Sequence, residues 1–354
     1  LITASGEDPA YGIIRKAIAN RASNLKTIYG FTCDTYIKGL QKLTEAPDKV
    51  LGIQLNTVLD VDSNNTGVIY LSESSSTFHY QYPDKSKEIM HASIVSGDAQ
   101  QFSWNDAASM QMNFYNNLEN LEGFSQRGFV SPIADNALFF YEYKLVGQTN
   151  ENNFIVYKIE VTPKRKADPA YTGIIYITED KYQISALQLS LTQENGIEFI
   201  DGFTVAQEYF YSDNEHLTLK SNKFDFSFNF FGIKGNGYFH AIYNNYSINP
   251  IFAKNFFNGE ITFIEENANK KDSLYWSTMR PIQLTNEEQV DYIEKDALAI
   301  LKEQPAYKDS VDRVFNKFTP ADLISGYAFR KSTKKMFFST NPLPDLVQFN
   351  TVEG

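Results

Sequence analysis

An alternating run of phenylalanines constrains the fold of this chain more than any other feature of its sequence. From Phe224 to Phe230 every second residue is phenylalanine, and the short polar residues Asp225, Ser227 and Asn229 fill the positions between them. Because successive side chains of a strand point to opposite faces, this pattern predicts a β-strand with one aromatic and one polar face. The 28 Phe and 22 Tyr among 354 residues extend the preference for strands to the whole chain.

Further strand-like runs, separated by polar or glycine-containing links, precede and follow this one. They cover residues 29–36, 68–71, 77–82, 138–146, 153–162, 173–178, 184–191, 203–211 and 237–246. Runs that follow one another without long helices between them predict an antiparallel meander rather than parallel βαβ units. The glycine cluster from Gly232 to Gly237 predicts a hairpin turn with positive φ rather than a nucleotide-binding loop.

Helix signals interrupt the strands at a few places. Asp8 and Pro9 start a helix whose apolar residues keep helical spacing to about Asn24. A one-sided apolar stripe predicts a helix over residues 105–121, and a short helix is expected after Pro132. The members of the stripe are Ala108, Met112, Tyr115 and Leu118.

The last third of the chain changes in character. Thr285 to Glu288 is a capping box, and the helix that it opens is expected to stop at Pro305. Residues 309–318 predict one more helix, and the proline-punctuated residues 341–346 predict an extended linker.

These patterns predict an α+β protein that is mainly β: a curved antiparallel sheet covered by helices, plus a helical C-terminal linker region. Residues 1–28 are expected to hold a strand remnant and the first helix. Residues 29–248 are expected to form the sheet domain with a helical insertion, and residues 249–354 a helical and extended region.

Composition excludes several classes of protein. The net charge is −11 and no long basic run offsets it, so nucleic acid is not an expected partner. The single cysteine, Cys33, excludes an intrachain disulfide and a multi-cysteine metal site, and the alternation around it makes it a core residue. No run of 18 apolar residues spans a bilayer, and no signal peptide opens the sequence.

Catalytic chemistry finds little support in the sequence. The four histidines, His79, His91, His216 and His240, show no i, i+4 spacing for a metal, and no Gly-x-Ser-x-Gly or phosphate-binding loop is present. Carboxylate pairs such as Glu287-Glu288 are expected to be solvated. We therefore predict no catalytic residue, no metal site and no cofactor, and only an acid–base pair facing a cleft would favour a hydrolase.

A set of ordered motifs resembles a family of Bacteroidetes outer-membrane proteins, the carboxypeptidase-like regulatory-domain proteins of unknown function. The motifs lie at residues 7–21, 71–73, 115–117, 131–134, 161–164 and 349–354. The resemblance implies a periplasmic middle region, between an immunoglobulin-like sandwich and a C-terminal β-barrel that tethers it to the outer membrane. The carboxypeptidase label belongs by analogy to the sandwich and implies no peptidase activity.

The strand, turn and strand at residues 172–184 are also similar to the half-barrel of LolA-like periplasmic lipoprotein carriers. That similarity implies a non-catalytic binding or assembly module for a lipid, a lipoprotein or a nascent envelope protein. Phe226, Phe228 and Phe230 are then the candidate contacts for an apolar ligand. The alternatives are that helices fill the concave face, and that the domain is a structural spacer that docks other envelope proteins.

Overall fold

The computed structural model describes residues 6–50, 53–54, 61–97, 105–121, 123–151, 154–213, 215–230, 232–317, 328–340 and 347–351. The predicted strand remnant at residues 1–5 and the linker at residues 341–346 lie outside these ranges. The helices are α1 (Pro9–Thr27), α2 (Ala137–Phe140), α3 (Ser273–Met279), α4 (Asn286–Glu303) and α5 (Pro305–Phe315).

Eleven strands form one sheet. They are β1 (Gly30–Glu45), β4 (Gly67–Gln81), β5 (Lys85–Val95), β8 (Tyr141–Glu151), β9 (Phe154–Pro163), β10 (Thr172–Thr178), β11 (Ile184–Thr192), β12 (Gly202–Tyr211), β13 (Leu217–Phe230), β14 (Ile233–Ile248) and β15 (Thr262–Ile264). Short pairs are formed by β2 (Lys49–Val50) with β3 (Ile53–Gln54) and by β6 (Leu118–Glu119) with β7 (Phe129–Val130). A separate small sheet contains β16 (Ala328–Lys331), β17 (Met336–Thr340) and β18 (Val347–Thr351).

The large sheet has the order β15-β5-β4-β1-β14-β13-β12-β11-β10-β9-β8. From β8 to β14 each strand lies beside the next one in the chain, which confirms the predicted meander. Every pair in this sheet is antiparallel except β15, which runs parallel to β5. The sheet is curved and does not close on itself, so the predicted mainly β class is confirmed.

Helix α1 begins as its sequence predicts. Asp8 accepts a hydrogen bond from the N–H of Ala10 at 2.9 Å, and proline occupies the first turn. The same carboxylate oxygen accepts the N–H of Leu145, also at 2.9 Å, which ties the start of the helix to β8. Ala10, Ile14 and Ala17 are fully buried in the larger core cluster.

Glycines in the centre of the sheet lie beneath phenylalanine rings. A Cβ atom added at Gly237 would lie 2.6 Å from the ring of Phe226, and one at Gly235 would lie 2.3 Å from the ring of Phe228. The prediction of a turn from Gly232 to Gly237 is therefore wrong for most of its length. The turn is made at Gly232, whose φ is +78°, and the next two glycines make room for aromatic rings within β14.

The predicted helix over residues 105–121 is wrong. This stretch contains turns, irregular backbone and the two-residue strand β6. Leu118, a member of the predicted apolar stripe, is 51% exposed, whereas Met110, Met112 and Phe114 are buried. Burial at every second residue from Met110 to Phe114 belongs to an extended backbone rather than a helix.

Helix α3 packs on the face of the sheet that carries Tyr36 and Glu73. Arg280, which follows α3, donates two hydrogen bonds to the fully buried Glu73, at 2.6 and 2.7 Å. The hydroxyl of Tyr36 donates a third at 2.6 Å. The buried ring of Trp276 lies 5.9 Å from the Arg280 guanidinium, so this buried charge pair fixes α3 to β1 and β4.

The chain divides into two compact units, residues 1–95 with 99–283 and residues 96–98 with 284–354. The first unit therefore extends beyond residue 248, where the sequence places the end of the sheet domain. In the second unit, α4 begins with the predicted capping box between Thr285 and Glu288 and ends before Pro305. None of the described helices combines the length and the apolar composition needed to cross a bilayer.

Candidate functional site

One face of the large sheet, which we call the inner face, carries the candidate site. Its side chains include Cys33, Ile37, Phe78, Val205, Phe224, Phe239, Ala241 and Tyr243. Cys33 is fully buried, as predicted, and burial raises the pKa of its thiol to about 12. A thiol with so high a pKa is a core group and not a nucleophile at neutral pH.

Residues 105–117, which we call the crossing segment, lie on this face and run across five strands. The strand register places one residue of each strand in a single cross-strand row beneath the segment. That row contains Ser74 of β4, Ile37 of β1, Ala241 of β14, Asn222 of β13 and Gln207 of β12.

The polar members of the row hold the backbone of the crossing segment. Asn222 donates its Nδ2–H to the carbonyl of Met110 at 2.5 Å, and Gln207 donates its Nε2–H to the carbonyl of Met112 at 2.8 Å. At the other end of the row, the Ser74 hydroxyl donates to the carbonyl of Asn105 at 3.3 Å. All three sheet residues are at most 1% exposed, so the donor groups that bond to this segment have no access to solvent.

Asn222 and Gln207 are direct cross-strand partners. Side chains opposite each other on adjacent strands are about 5 Å apart, and carbonyls two residues apart in an extended chain are about 6.5 Å apart. The two amides can therefore reach the carbonyls of Met110 and Met112, which lie in a short extended stretch that joins a turn at residues 108–111 to a turn at residues 113–116. Neither contact involves a side chain of the crossing segment.

Two buried carboxylates each accept one N–H group of the crossing segment. Glu88 of β5 accepts the N–H of Ala107 at 2.8 Å and the hydroxyl of Ser76 at 2.5 Å. Glu119 accepts the N–H of Asn113 at 3.0 Å. Burial raises the pKa of both carboxyls to about 7, because desolvation outweighs the hydrogen bonds that favour their ionised forms.

Two cavities flank the crossing segment, and the side chains of Gln111 and Met112 line both. The first has a volume of about 350 Å³ and the second about 540 Å³. The lining of the first includes Leu25, Phe31, Tyr80, Tyr209, Leu219 and Tyr246. The lining of the second includes Ala108, Leu121, Phe124, Phe203, Phe224 and Phe239. Both linings mix aromatic and aliphatic residues with amide, hydroxyl and carboxylate residues, among them Asn113 and Gln183 in the first and Asn105 and Asp106 in the second.

The predicted ligand contacts, Phe226, Phe228 and Phe230, are not among the residues that line the two cavities, and Phe226 is the one that stacks on a lining ring. Phe224, at the start of the aromatic row, lines the larger cavity, and Phe226 stacks on the lining ring of Phe239 with ring centres 5.8 Å apart. Phe228 is half-buried over Gly235, and Phe230 is 51% exposed at the end of β13. Sequence reasoning missed Asn222 and Gln207, although Asn222 continues the same alternating row two residues before Phe224.

All four histidines have a nearby hydroxyl or carboxylate, which for His79 is the Thr32 hydroxyl at 2.9 Å. His91 contacts the Thr77 hydroxyl through Nε2 and the Glu265 carboxylate through Nδ1, both at 2.8 Å. This order of groups resembles a hydrolytic triad, but Thr77 lies mid-strand and pairs with Asp34 on one side and Ile89 on the other. Its N–H is thus part of the sheet and is not placed to stabilise an oxyanion.

The remaining histidines lie elsewhere. His240 contacts the Ser221 hydroxyl at 2.9 Å, and burial together with Lys223 and Lys38 lowers its pKa to about 4. His216 lies in an exposed turn beside Asp213. Within the residues that the structure describes, no three His, Cys, Asp or Glu side chains are grouped to hold a metal ion.

Comparison with known proteins gives a family. The model of the family of unknown function DUF5686 matches residues 13–246, well over half of the chain. No curated protein sequence matches it.

Several solved structures are similar at low identity. A LolA superfamily protein from Nitrosomonas europaea is 11% identical, with a TM-score of 0.25, over 70% of this chain and 96% of that one. A DUF1329 family protein from Desulfovibrio piger is 11% identical, with a TM-score of 0.26, over 71% and 98%. MucB is 10% identical, with a TM-score of 0.23, over 66% and 92%. Likenesses of this size say nothing about ligands.

Proposed function

We propose a function for this chain, which belongs to the DUF5686 family of unknown function, from the geometry of its inner face. It is a non-catalytic binding or assembly module of the cell envelope that holds an apolar part of another molecule against the sheet. The resemblance of its motifs to outer-membrane proteins supports a periplasmic location with a tether to the outer membrane. The classes of ligand that the site admits are a lipid, a lipoprotein or a nascent envelope protein.

The observation that carries this proposal is the pair of cavities beside the crossing segment. A sheet with a solid helical cover would bury its aromatic face completely, whereas here about 350 and 540 Å³ stay open between aromatic side chains. Volumes in this range hold an acyl chain or a few apolar side chains. Phe226, Phe228 and Phe230 extend the aromatic surface from Phe224 to the end of β13, and we propose them as contacts for ligand beyond the cavity.

Binding of the dye 1-N-phenylnaphthylamine tests the proposal, because its fluorescence rises in any apolar site. The wild-type protein, purified and then freed of lipid, is expected to bind the dye at micromolar concentration. Ala108→Trp places an indole in the larger cavity and is expected to weaken binding by about tenfold, which corresponds to about 1.4 kcal/mol. Native mass spectrometry of protein from a bacterial host is expected to show bound mass that Ala108→Trp reduces.

Ala253→Trp is the matched control, since Ala253 is an exposed alanine outside both cavities. It is expected to bind the dye as the wild type does. Absence of dye binding by the wild type, or equal loss in both variants, would refute a binding role for the inner face.

A specific observation also favours the second candidate, docking of another envelope protein. Helix α4 buries Glu288, Tyr292 and Lys295, while Ile293 and Ile300 are 70% and 69% exposed. A photo-crosslinking residue at Ile293 is expected to capture an envelope protein in cells, and the same residue at the exposed Glu294 is the control. Equal capture at the two positions would contradict docking through this face.

A further inference from the structure

We infer that the inner face binds an extended polypeptide segment that takes the place of residues 105–117. This inference rests on the proposed function and names its ligand class. It follows from the way the sheet holds the middle of the crossing segment: Glu88, Asn222 and Gln207 bond to its backbone, whereas the Asn105 side chain bonds to Ser72 at its start.

The groups beneath the crossing segment match what a peptide backbone offers. Glu88 accepts an N–H, while Asn222 and Gln207 donate to carbonyls two residues apart. The Oδ1 atom of Asn222 has no hydrogen-bond partner among the described residues, so this amide can also accept an N–H. The same is true of Gln183 Oε1, which belongs to a residue that lines the smaller cavity.

Replacement of the crossing segment by an acyl chain would leave these polar groups unsatisfied. Glu88 and Asn222 are fully buried and Gln207 is 1% exposed, and a hydrocarbon has neither N–H nor C=O groups to offer them. Buried polar groups without partners are costly, whereas a peptide restores each hydrogen bond. The sites between the polar groups are apolar, since Met110 and Ala107 pack with Ile37 and Ala241. The inner face therefore suits a polypeptide with alternating apolar side chains.

The exchange does not need a particular ligand sequence. Backbone-directed contacts tolerate many side chains, in the manner of strand-addition sites. The cavities on either side of the crossing segment give room for side chains larger than Met112 and Ala108. The ligand class is therefore an unfolded or extended stretch of another protein.

A fluorescein-labelled synthetic peptide with the sequence of residues 105–117 is the first probe, and cis-parinaric acid is the acyl probe. Both are titrated into the full chain, followed by anisotropy and by fluorescence. Because the tethered segment competes at an effective concentration near the millimolar range, Ala107→Pro is used alongside the wild type. This change removes the N–H that Glu88 accepts and leaves the sheet intact, so peptide affinity is expected to rise about tenfold.

Asn222→Leu and Gln207→Leu test the hydrogen bonds from the sheet to the peptide backbone. Both are made in the Ala107→Pro chain, because in the wild type the tethered segment would lose the same hydrogen bond and the two losses would cancel. With the tethered segment released, each removes one hydrogen bond to the peptide and is expected to weaken peptide binding by about tenfold without weakening that of the acyl probe. Asn229→Leu, an exposed position on the same strand, is the matched control and should change neither affinity. Hydrogen exchange on the wild type supplies a measurement that needs no variant, because saturating peptide should raise deuterium uptake within residues 105–117.

The outcomes separate this inference from the proposed function. Binding of the acyl probe and the dye without the peptide overturns the inference and leaves the binding function intact. Peptide binding that Asn222→Leu and Asn229→Leu affect equally, or that leaves exchange in residues 105–117 unchanged, also overturns it. If the dye, the peptide and the acyl probe all fail to bind, both the inference and the proposed function fall.

Discussion

The two carboxyls that hold the crossing segment are expected to make the stability of the sheet unit depend on pH. Burial raises the pKa of Glu88 and of Glu119 from the ordinary 4.5 to about 7. Between these two values the folded chain holds protons that the unfolded chain has lost. Stability therefore falls as the pH rises from about 4.5 to 7, and it levels off above that.

The magnitude follows from the size of the shift. A carboxyl whose pKa is raised from 4.5 to about 7 costs about 3 kcal/mol of unfolding free energy once both states are ionised. Glu88 is fully buried, so little solvent screening reduces this cost. His240 has the opposite effect on stability. Its pKa is lowered to about 4, so its contribution to the free energy of unfolding rises as the pH increases from 4 to 6.5. The decisive quantity is therefore the difference between the wild type and Glu88→Gln, in which the contribution of His240 cancels.

Urea unfolding at pH 5, 6, 7 and 8 measures that difference, and the buried Trp276 supplies a fluorescence signal from the same unit. The amide that Glu88→Gln introduces does not titrate. The free energy of unfolding of this variant relative to the wild type is expected to rise by about 2.5 kcal/mol from pH 5 to pH 8, because part of the titration lies below pH 5. Glu287→Gln, at an exposed acidic residue, is the control and should follow the wild type. An unchanged difference between wild type and Glu88→Gln across the four pH values would refute the reasoning.

Three further substitutions test the packing, each by urea unfolding. Glu73→Gln leaves Arg280, whose side chain is only 15% exposed, without its anionic partner and should cost about 3 kcal/mol, and adding Arg280→Met should recover part of that loss. Gly237→Ala should cost about 1–3 kcal/mol, because the new Cβ would lie 2.5 Å from the Leu40 carbonyl oxygen, which cannot move aside. Gly12→Ala, on the exposed side of α1 with no atom within 4 Å of the new Cβ, should instead add about 0.5–1 kcal/mol. A loss of stability in the last case would contradict the packing of α1.

Local chemistry made much of the fold predictable from sequence. The strand that contains Phe224 and Phe230 follows from strict alternation, and the start of α1 follows from Asp8 and Pro9. The capping box at Thr285 likewise marks the first turn of α4. In each case the signal lies within a few residues of the element that it predicts, so no knowledge of the tertiary structure is needed.

The glycines of β14 show where local signals fail. Gly235 and Gly237 read as turn residues because glycine admits positive φ. Their role in the structure is to leave space for the rings of Phe228 and Phe226 on the adjacent strand. That role depends on the register between β13 and β14, and a single sequence does not contain the register.

The crossing segment shows the same limit at the candidate site. Its residues 108, 112 and 115 fit a helical face, while Met110, Met112 and Phe114 fit an extended chain, and the sequence satisfies both periods at once. Hydrogen bonds from outside the segment decide between them. In a helix the carbonyls of Met110 and Met112 would accept bonds from residues 114 and 116, whereas here they accept the amides of Asn222 and Gln207. A helix in this place would leave the N–H groups of both buried amides without these partners, so the contacts with the sheet favour the non-helical backbone. The same selection would act on any segment that entered the site, which is why the fold of residues 105–117 and the proposed recognition of a peptide backbone depend on one set of contacts.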